Sequence, residues 1–362
     1  MPSYTSSSKG SDKYGRPLPD TVLRGSAWVG LLVMVVLMSG WEWYWRDYGS
    51  VPAYRNSEGL WAIQRRRIDS GEGNKTVIAG SSRLYFNTQL DIWEQESGQR
   101  PIQLALEGTT PVPLMEDLAQ DEDFTGTLIV GVAPGLFFSG FEYRGKAFER
   151  YKNESPSQWL GQKISMLAEP YLAFYHADYS LFTVLKRQKL PERRGVESAS
   201  DVRRLPMQEK DRATRMLPKL ETDESYAQIA KEIWAEGFVP IDQRSEEELQ
   251  ERLENRNKQI ERAVTATKAL QARGVEVVFV RSPAEGHYAV SEPMYNPREE
   301  TWDVLIERTG AIGIHWMDHE ELQGYWLPEW SHLSGSDADR YTKALYHVIE
   351  RERARRQAKE AR

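Results

Sequence analysis

The chain contains no cysteine. Disulfides, thiolate metal sites and cysteine nucleophiles are therefore excluded, and the absence fits an exported protein. A basic face is missing too. Its 47 Lys and Arg stand against 54 Asp and Glu, giving a net charge of −7 and a pI near 5.6, and the two signs are interspersed. A nucleic-acid footprint needs a basic patch, so nucleic acid is not an expected partner. Histidine is scarce, with six in 362 residues. Tryptophan is plentiful at twelve, and several flank the one long apolar run. The length suits one large or two ordinary domains with a sizeable core.

That run is residues 25–41, GSAWVGLLVMVVLMSGW, without a charge. As a helix it spans about 26 Å, and extension to Trp45 reaches roughly 30 Å, the thickness of a bilayer core. Trp41, Trp43, Tyr44 and Trp45 would form an interfacial aromatic belt, closed by Arg46 and Asp47. A buried core helix would show a polar face, and a cleaved signal peptide a shorter leader and a small-residue cleavage site. Neither feature is present, so 25–45 reads as an uncleaved single-pass anchor. Residues 1–24 are polar, rich in Ser, Gly and Pro, and read as a disordered tail. Lys9, Lys13, Arg16 and Arg24 precede the span and favour a cytoplasmic N-terminus. Arg65-Arg66-Arg67 lie about 20 residues beyond it, near the limit of the charge rule. The remainder, 46–362, is expected outside the membrane as the main domain.

Within that domain the spacing predicts a helix over 57–68, with Leu60, Trp61, Ile63 and Ile68 inward. A strand follows over 75–79, then a helix over 84–96 stopped by Gly98. A short strand over 101–106 leads into Glu107-Gly108-Thr109-Thr110, and a helix over 113–120 comes next. The run TLIVGV at 127–132 reads as a strand buried on both faces. Residues 136–244 read as an insertion, largely helical. Phe137, Phe138, Phe141 and Tyr143 crowd its start, a helical stretch covers 159–185, and a charged, proline-broken flap covers 186–223. An amphipathic helix is expected over 245–273, with Leu249, Leu253, Ile260, Val264 and Leu270 on one face. Strands at 275–280 and 313–318 flank a helix at 301–309. Ser336 and Asp339 suggest the cap of a final helix whose last dozen residues fray. Five strands alternating with helices imply a three-layer α/β/α sandwich around a five-stranded parallel sheet.

In such sheets ligands bind beyond the carboxyl ends of the strands. Ser82 follows the first strand, Gly108 the second, Pro134 the third, Arg281 the fourth and His332 the fifth. In Thr76-Val77-Ile78-Ala79-Gly80-Ser81-Ser82-Arg83, a buried strand runs into a tight turn and a helix, which exposes the serine beside free backbone N–H groups. A serine hydroxyl needs a base, and His332 is the candidate. Glu329, three residues earlier, can orient and charge-balance its imidazole. His315 and His319 are spaced i, i+4, which suits a metal only on a helix, and this segment reads as strand. No metal or cofactor is expected.

These residues resemble the blocks of the SGNH/GDSL hydrolase superfamily, and in particular its membrane-anchored, exported branch. The likeness covers about 57–135 and 255–350. Gly80-Ser81-Ser82 matches the Gly-Asp-Ser block, Gly108 the glycine of the second block, and Glu329-Trp330-Ser331-His332 the Asp-x-x-His block. The resemblance implies a flavodoxin-like strand order, Ser82 as nucleophile, and the N–H groups of Ser82 and Gly108 at an oxyanion. It also implies a bacterial cytoplasmic-membrane location with a periplasmic or extracellular domain, a glycan substrate, and an integral-membrane O-acyltransferase as partner. The third block, Gly-x-Asn-Asp, stands here as Gly131-Val132-Ala133-Pro134 without a side-chain donor. Loss of such a donor typically costs about 3–4 kcal/mol of transition-state stabilisation. Arg83 and Arg281 are the candidates to replace it. The function expected is therefore acyl transfer or ester hydrolysis on a glycan, acetyl being the acyl group expected. An inactive SGNH-like interaction subunit of an envelope glycan-modification assembly is the alternative. A lipid esterase or thioesterase is a weaker third reading, suggested by closeness to the membrane.

Overall fold

The computed structural model describes residues 20–186 and 204–361. Most of the expected disordered tail and the first part of the expected flap lie outside the described residues. The chain divides into an N-terminal unit ending at Tyr48 and a larger unit, Gly49–Arg362.

The first unit is one helix, α1 (Asp20–Asp47), which begins five residues ahead of the apolar run. Its stretch Gly25–Asp47 is long and apolar enough to cross a membrane. Trp28 and the residues to Met38 are exposed all round, as on a helix solvated by lipid rather than by a core. At its C-terminal end Trp41 stacks on Tyr44 and meets Trp45 edge-on, with centroids 5.8 and 5.4 Å apart.

The larger unit is α/β. In chain order it runs α2 (Glu58–Arg67), β1 (Val77–Ala79), α3 (Ser82–Asn87), α4 (Leu90–Ser97), β2 (Ile102–Gln103), α5 (Val112–Gln120) and β3 (Thr127–Gly131). Next come α6 (Pro134–Phe137), α7 (Lys146–Asn153), α8 (Pro156–Ala168), α9 (Leu181–Lys186), the strands β4 (Pro206–Gln208) and β5 (Thr214–Met216), α10 (Pro218–Thr222) and α11 (Glu224–Glu236). The chain closes with α12 (Glu246–Ala272), β6 (Glu276–Arg281), α13 (Gly286–Tyr295), α14 (Trp302–Thr309), β7 (Ile312–His315) and α15 (Gly335–Glu360). Five parallel strands form one sheet in the order β2-β1-β3-β6-β7, the flavodoxin-like arrangement.

Period-two alternation explains why these strands are apolar throughout. Val77, Leu128, Val130, Val277 and Phe279 face a core with Trp61, Met115, Ile260 and Leu270. Ile78, Ile129, Val278 and Val280 face a second core with Leu84, Trp93, Tyr341 and Leu345. Helices therefore cover both faces.

Several elements differ from expectation for tertiary reasons. The helix expected over 84–96 is broken into α3 and α4. At the break Thr342 Oγ1 on α15 accepts from Gln89 N at 2.8 Å and donates to Asn87 O at 3.0 Å, replacing helical bonds. Pro170 ends α8, and short 3₁₀ turns intervene before α9. In the charged segment, β4 and β5 form an antiparallel hairpin. Its Arg212, at φ +69°, is fully buried and donates to Gln103 O, Ala105 O and Asn56 Oδ1, covering the end of the edge strand β2. The last helix is capped by Ser334, not Ser336, with Oγ accepting from Asp337 N at 3.3 Å. It stays helical to Glu360 because Arg353 grips Glu276 and Arg356 donates to Gly310 O at 2.9 Å.

β7 ends on a buried histidine. The His315 ring lies edge-on to Trp302, with centroids 5.4 Å apart, and Nδ1 accepts from Met317 N at 3.2 Å. Burial, reinforced by Arg298 and Arg281, pushes its pKa from 6.5 down to about 3. Across that window the unfolded chain binds a proton the folded chain refuses, so stability falls as pH drops from 6.5 towards 3. Between pH 6.5 and 4.5 the loss assignable to His315 is about 2–3 kcal/mol. Denaturant titrations in detergent should show a stability difference between wild type and His315→Asn that shrinks by this amount over the interval. A difference constant with pH would contradict the assignment.

Candidate functional site

The strand order reverses between β1 and β3, and the residues following those two strands open the site. β1 runs into Gly80-Ser81-Ser82, where Ser81 occupies the N-cap position of α3 and Ser82 its first turn. Glycines bring α3 close to the sheet. A Cβ on Gly131 would sit 2.7 Å from Leu84 Cβ, and one on Gly80 would sit 3.1 Å from the same atom. Gly131, at the head of Gly131-Val132-Ala133-Pro134, is thus needed for the approach of α3.

The second half of the site is the loop carrying Glu329 and His332. Glu329 is wholly buried, and its Oε1 accepts from both His332 N at 2.7 Å and His332 Nδ1 at 2.8 Å. Its Oε2 accepts from Trp234 Nε1, on α11, at 2.5 Å. A carboxylate at Nδ1 fixes the tautomer with the proton there and leaves Nε2 with a lone pair. That Nε2 is buried and has no hydrogen-bond partner among the described residues. Between the two residues Trp330 adopts φ +74°, uncommon for a non-glycine residue. Its carbonyl accepts from Glu285 N at 2.8 Å, and its ring covers Gly286, where a Cβ would come within 2.4 Å.

Three contacts tie this loop to α3. Arg83 Nε donates to Ser331 Oγ at 3.3 Å, Leu333 N donates to Asn87 Oδ1 at 3.0 Å, and the imidazole packs on Phe86 with centroids 4.4 Å apart. Phe86 is one helical turn beyond Ser82, so serine and imidazole share a face of α3. Ser82 is half-buried, and its Oγ makes no hydrogen bond within the described residues, including none to His332 Nε2. Gly108 sits at φ +57° under Tyr143, and its carbonyl accepts from Tyr143 N at 3.1 Å. Its own N–H donates to no described residue.

Arg83 and Arg281, the candidates to replace the missing donor, turn inward instead. Both are buried, and both bind Glu292 of α13, Arg83 Nη2 at 2.6 Å from Oε1 and Arg281 Nη2 on Oε2. Arg83 also lies over the Tyr288 ring at 4.7 Å, with its Nη1 buried and unpartnered. Burial opposes the charge on Glu292, but the two guanidinium groups outweigh it and hold its carboxyl below the usual carboxylate range. Glu329 follows the same pattern. Burial pushes its pKa up, and the bonds from His332 and Trp234 bring the net shift down. Two buried cations and two buried anions thus balance beside the imidazole.

The arrangement provides an imidazole with a carboxylate at Nδ1 and a buried, unpartnered Nε2, packed on Phe86 one helical turn beyond the serine. It suits proton abstraction from a hydroxyl or a bound water. Trp234, Asn87, Phe86 and Glu292 carry no local motif that would mark them in the sequence. They are visible only once the loop, α3, α11 and α13 are brought together. No family model matches the chain, and no curated protein matches it.

Two substitutions test this construction. Glu292→Gln leaves two buried guanidinium groups without their carboxylate and should cost about 3–5 kcal/mol in denaturant titrations; an unchanged stability would mean other partners serve them. Gly131→Ala places a methyl group against Leu84 and should cost about 1–3 kcal/mol. A neutral effect would show that α3 is free to shift.

Proposed function

We propose that the chain is a membrane-anchored, serine-dependent acyltransferase or esterase of SGNH type, acting outside the bacterial cytoplasmic membrane on O-acetyl groups of a glycan. The observation that carries this reading is the Glu329–His332 pair, with Nδ1 held by the carboxylate, Nε2 unpartnered, and the ring packed on Phe86, one helical turn beyond Ser82. Ser82 Oγ attacks the acyl carbonyl carbon while His332 Nε2 takes the hydroxyl proton. The backbone N–H groups of Ser82 and Gly108 receive the negative oxygen. Collapse breaks the bond to the leaving alcohol, which His332 protonates, and an acyl-Ser82 ester remains. A water or sugar hydroxyl, deprotonated by His332, then attacks that ester and restores the serine.

The basic residues before the apolar run favour a cytoplasmic N-terminus. Those after it, Arg65, Arg66 and Arg67, pair with Asp69, Asp117, Asp121, Glu154 and Glu72 inside the folded unit, which gives them a role of their own. An integral-membrane acyltransferase that hands the acyl group across the bilayer is the partner this reading implies.

A second reading, a non-catalytic interaction subunit, is favoured by two observations. Ser82 Oγ makes no bond to His332, and Gly131-Val132-Ala133-Pro134 offers no side-chain donor. A fluorophosphonate probe applied to the full-length protein in its native membrane separates the two. The acyl-enzyme reading expects an adduct mapped by mass spectrometry to Ser82, abolished in Ser82→Ala and His332→Ala. In Trp234→Phe, which removes one hydrogen bond to the Glu329 carboxylate, labelling should be about 10-fold slower. Absence of any adduct at Ser82 would decide for the interaction subunit.

A further inference from the structure

Helix α8 turns an apolar stripe to the outside. Its inner side carries the buried Met166 together with polar groups. Gln162 Oε1 accepts from Ser57 Oγ at 2.8 Å, Ser165 Oγ donates to Glu169 Oε1 at 2.6 Å just past the helix end, and Glu169 Oε2 accepts from Arg55 N at 3.0 Å. Its apolar side faces out. Trp159, Leu160, Ile164 and Leu167 are exposed by 47, 52, 59 and 73%, and their spacing places them on a single arc of the helix. Tyr171 prolongs the stripe beyond the helix, exposed by 70%, and α9 adds Leu181, Phe182 and Leu185, equally unburied.

We propose that this face of α8 lies on the lipid surface of the membrane that α1 crosses, giving the larger unit a second, non-spanning attachment. Chain length argues for lipid as the occupant. Arg55, whose N–H bonds Glu169, is only seven residues beyond Tyr48, where the apolar helix has ended. Seven residues extend about 25 Å at most, so Arg55, and the Glu169 it binds just past the end of α8, stay within about that reach of Tyr48. Composition argues the same way. Trp159 and Tyr171 are residue types of the membrane–water boundary, and the Lys163 ammonium lies 5.7 Å from the Trp159 ring centroid, its stem on the apolar arc and its head free to reach the headgroups. The inference uses α1 and α8 and does not depend on chemistry at Ser82.

The absence of cysteine in the chain makes the test direct. Single substitutions Leu160→Cys, Ile164→Cys and Leu167→Cys, with Gln250→Cys and Glu307→Cys as exposed controls, would each be spin-labelled in the full-length protein. The labelled proteins would be reconstituted at low density into phosphatidylethanolamine–phosphatidylglycerol vesicles. All five positions are at the surface, so folding is not at stake. The proposal expects an oxygen-to-nickel collision ratio severalfold higher at 160, 164 and 167 than at the controls. Water-like ratios at all five would overturn it. Ratios that stay water-like in vesicles while the α8 labels become immobile in native membranes would overturn it in favour of a protein partner. Spin–spin broadening at α8 in vesicles would overturn it in favour of a second copy of the chain.

Discussion

The docking of the Glu329–His332 loop onto α3 is the constraint from which the rest of the site follows. Each residue flanking the imidazole is tied to that helix, Ser331 to Arg83 and Leu333 to Asn87, and the ring itself rests on Phe86. α3 is in turn placed by two glycines, Gly80 just past β1 and Gly131 at the end of β3, whose missing Cβ atoms admit Leu84. A histidine separated from Ser82 by most of the chain thus acquires its position from backbone geometry at the sheet edge. Because the loop reads its place from α3, a shift of the helix moves serine and imidazole together. This preserves their relation better than an anchor on a separate element would.

Charge is handled by enclosure. Two guanidinium groups and two carboxylates are buried within the same few turns, Arg83 and Arg281 on Glu292, and Glu329 on His332. Isolated burial of any one would be prohibitive, and the favourable terms exist only for the assembled set. Arg83 links the halves, because it contacts Glu292 with one nitrogen and Ser331 with another. Such a set contributes less to net stability than to specifying one arrangement of α3, α13 and the loop. Trp234 extends this to α11, whose indole satisfies the outward oxygen of Glu329. The segment between β3 and β6 therefore takes part in the site and is more than a surface addition.

The parallel sheet was legible because strands buried on both faces must be apolar without interruption, as Ile129 and Val278 show on one side and Val130 and Phe279 on the other. The helix long and apolar enough to cross a membrane was legible for a similar reason, since its run is apolar on every side. Ser82 does stand directly past β1, whereas Glu329 and His332 lie on a loop well beyond His315, the end of β7. What stayed hidden depends on partners distant in sequence. Nothing local announces that Thr342 breaks the helix at Asn87, or that Arg212 caps the edge of β2. Ser336 carried the stronger local capping signal, yet Ser334 prevails because the chain leaves the loop earlier. Arg83 and Arg281 were expected as replacement donors, but their side chains turn to Glu292, a residue of a helix that no local pattern marked.

That turn bears on how an oxyanion would be held. Gly131 is committed to the approach of α3, and Pro134 opens α6, so the stretch between them has no residue free to supply a side-chain donor. Arg83 follows the serine directly, yet its charge is met by Glu292 and balanced again by Glu329 within the same enclosure. A balanced cluster projects a weak field at a distance, so a developing negative charge near Ser82 would draw little from it. Stabilisation would rest on backbone N–H groups at the head of α3 and at Gly108, which are fixed by the fold and need no reorganisation. On the proposed reading, transition-state stabilisation would therefore rest on backbone donors alone, and the buried Glu329–His332 pair would supply a rigidly held base.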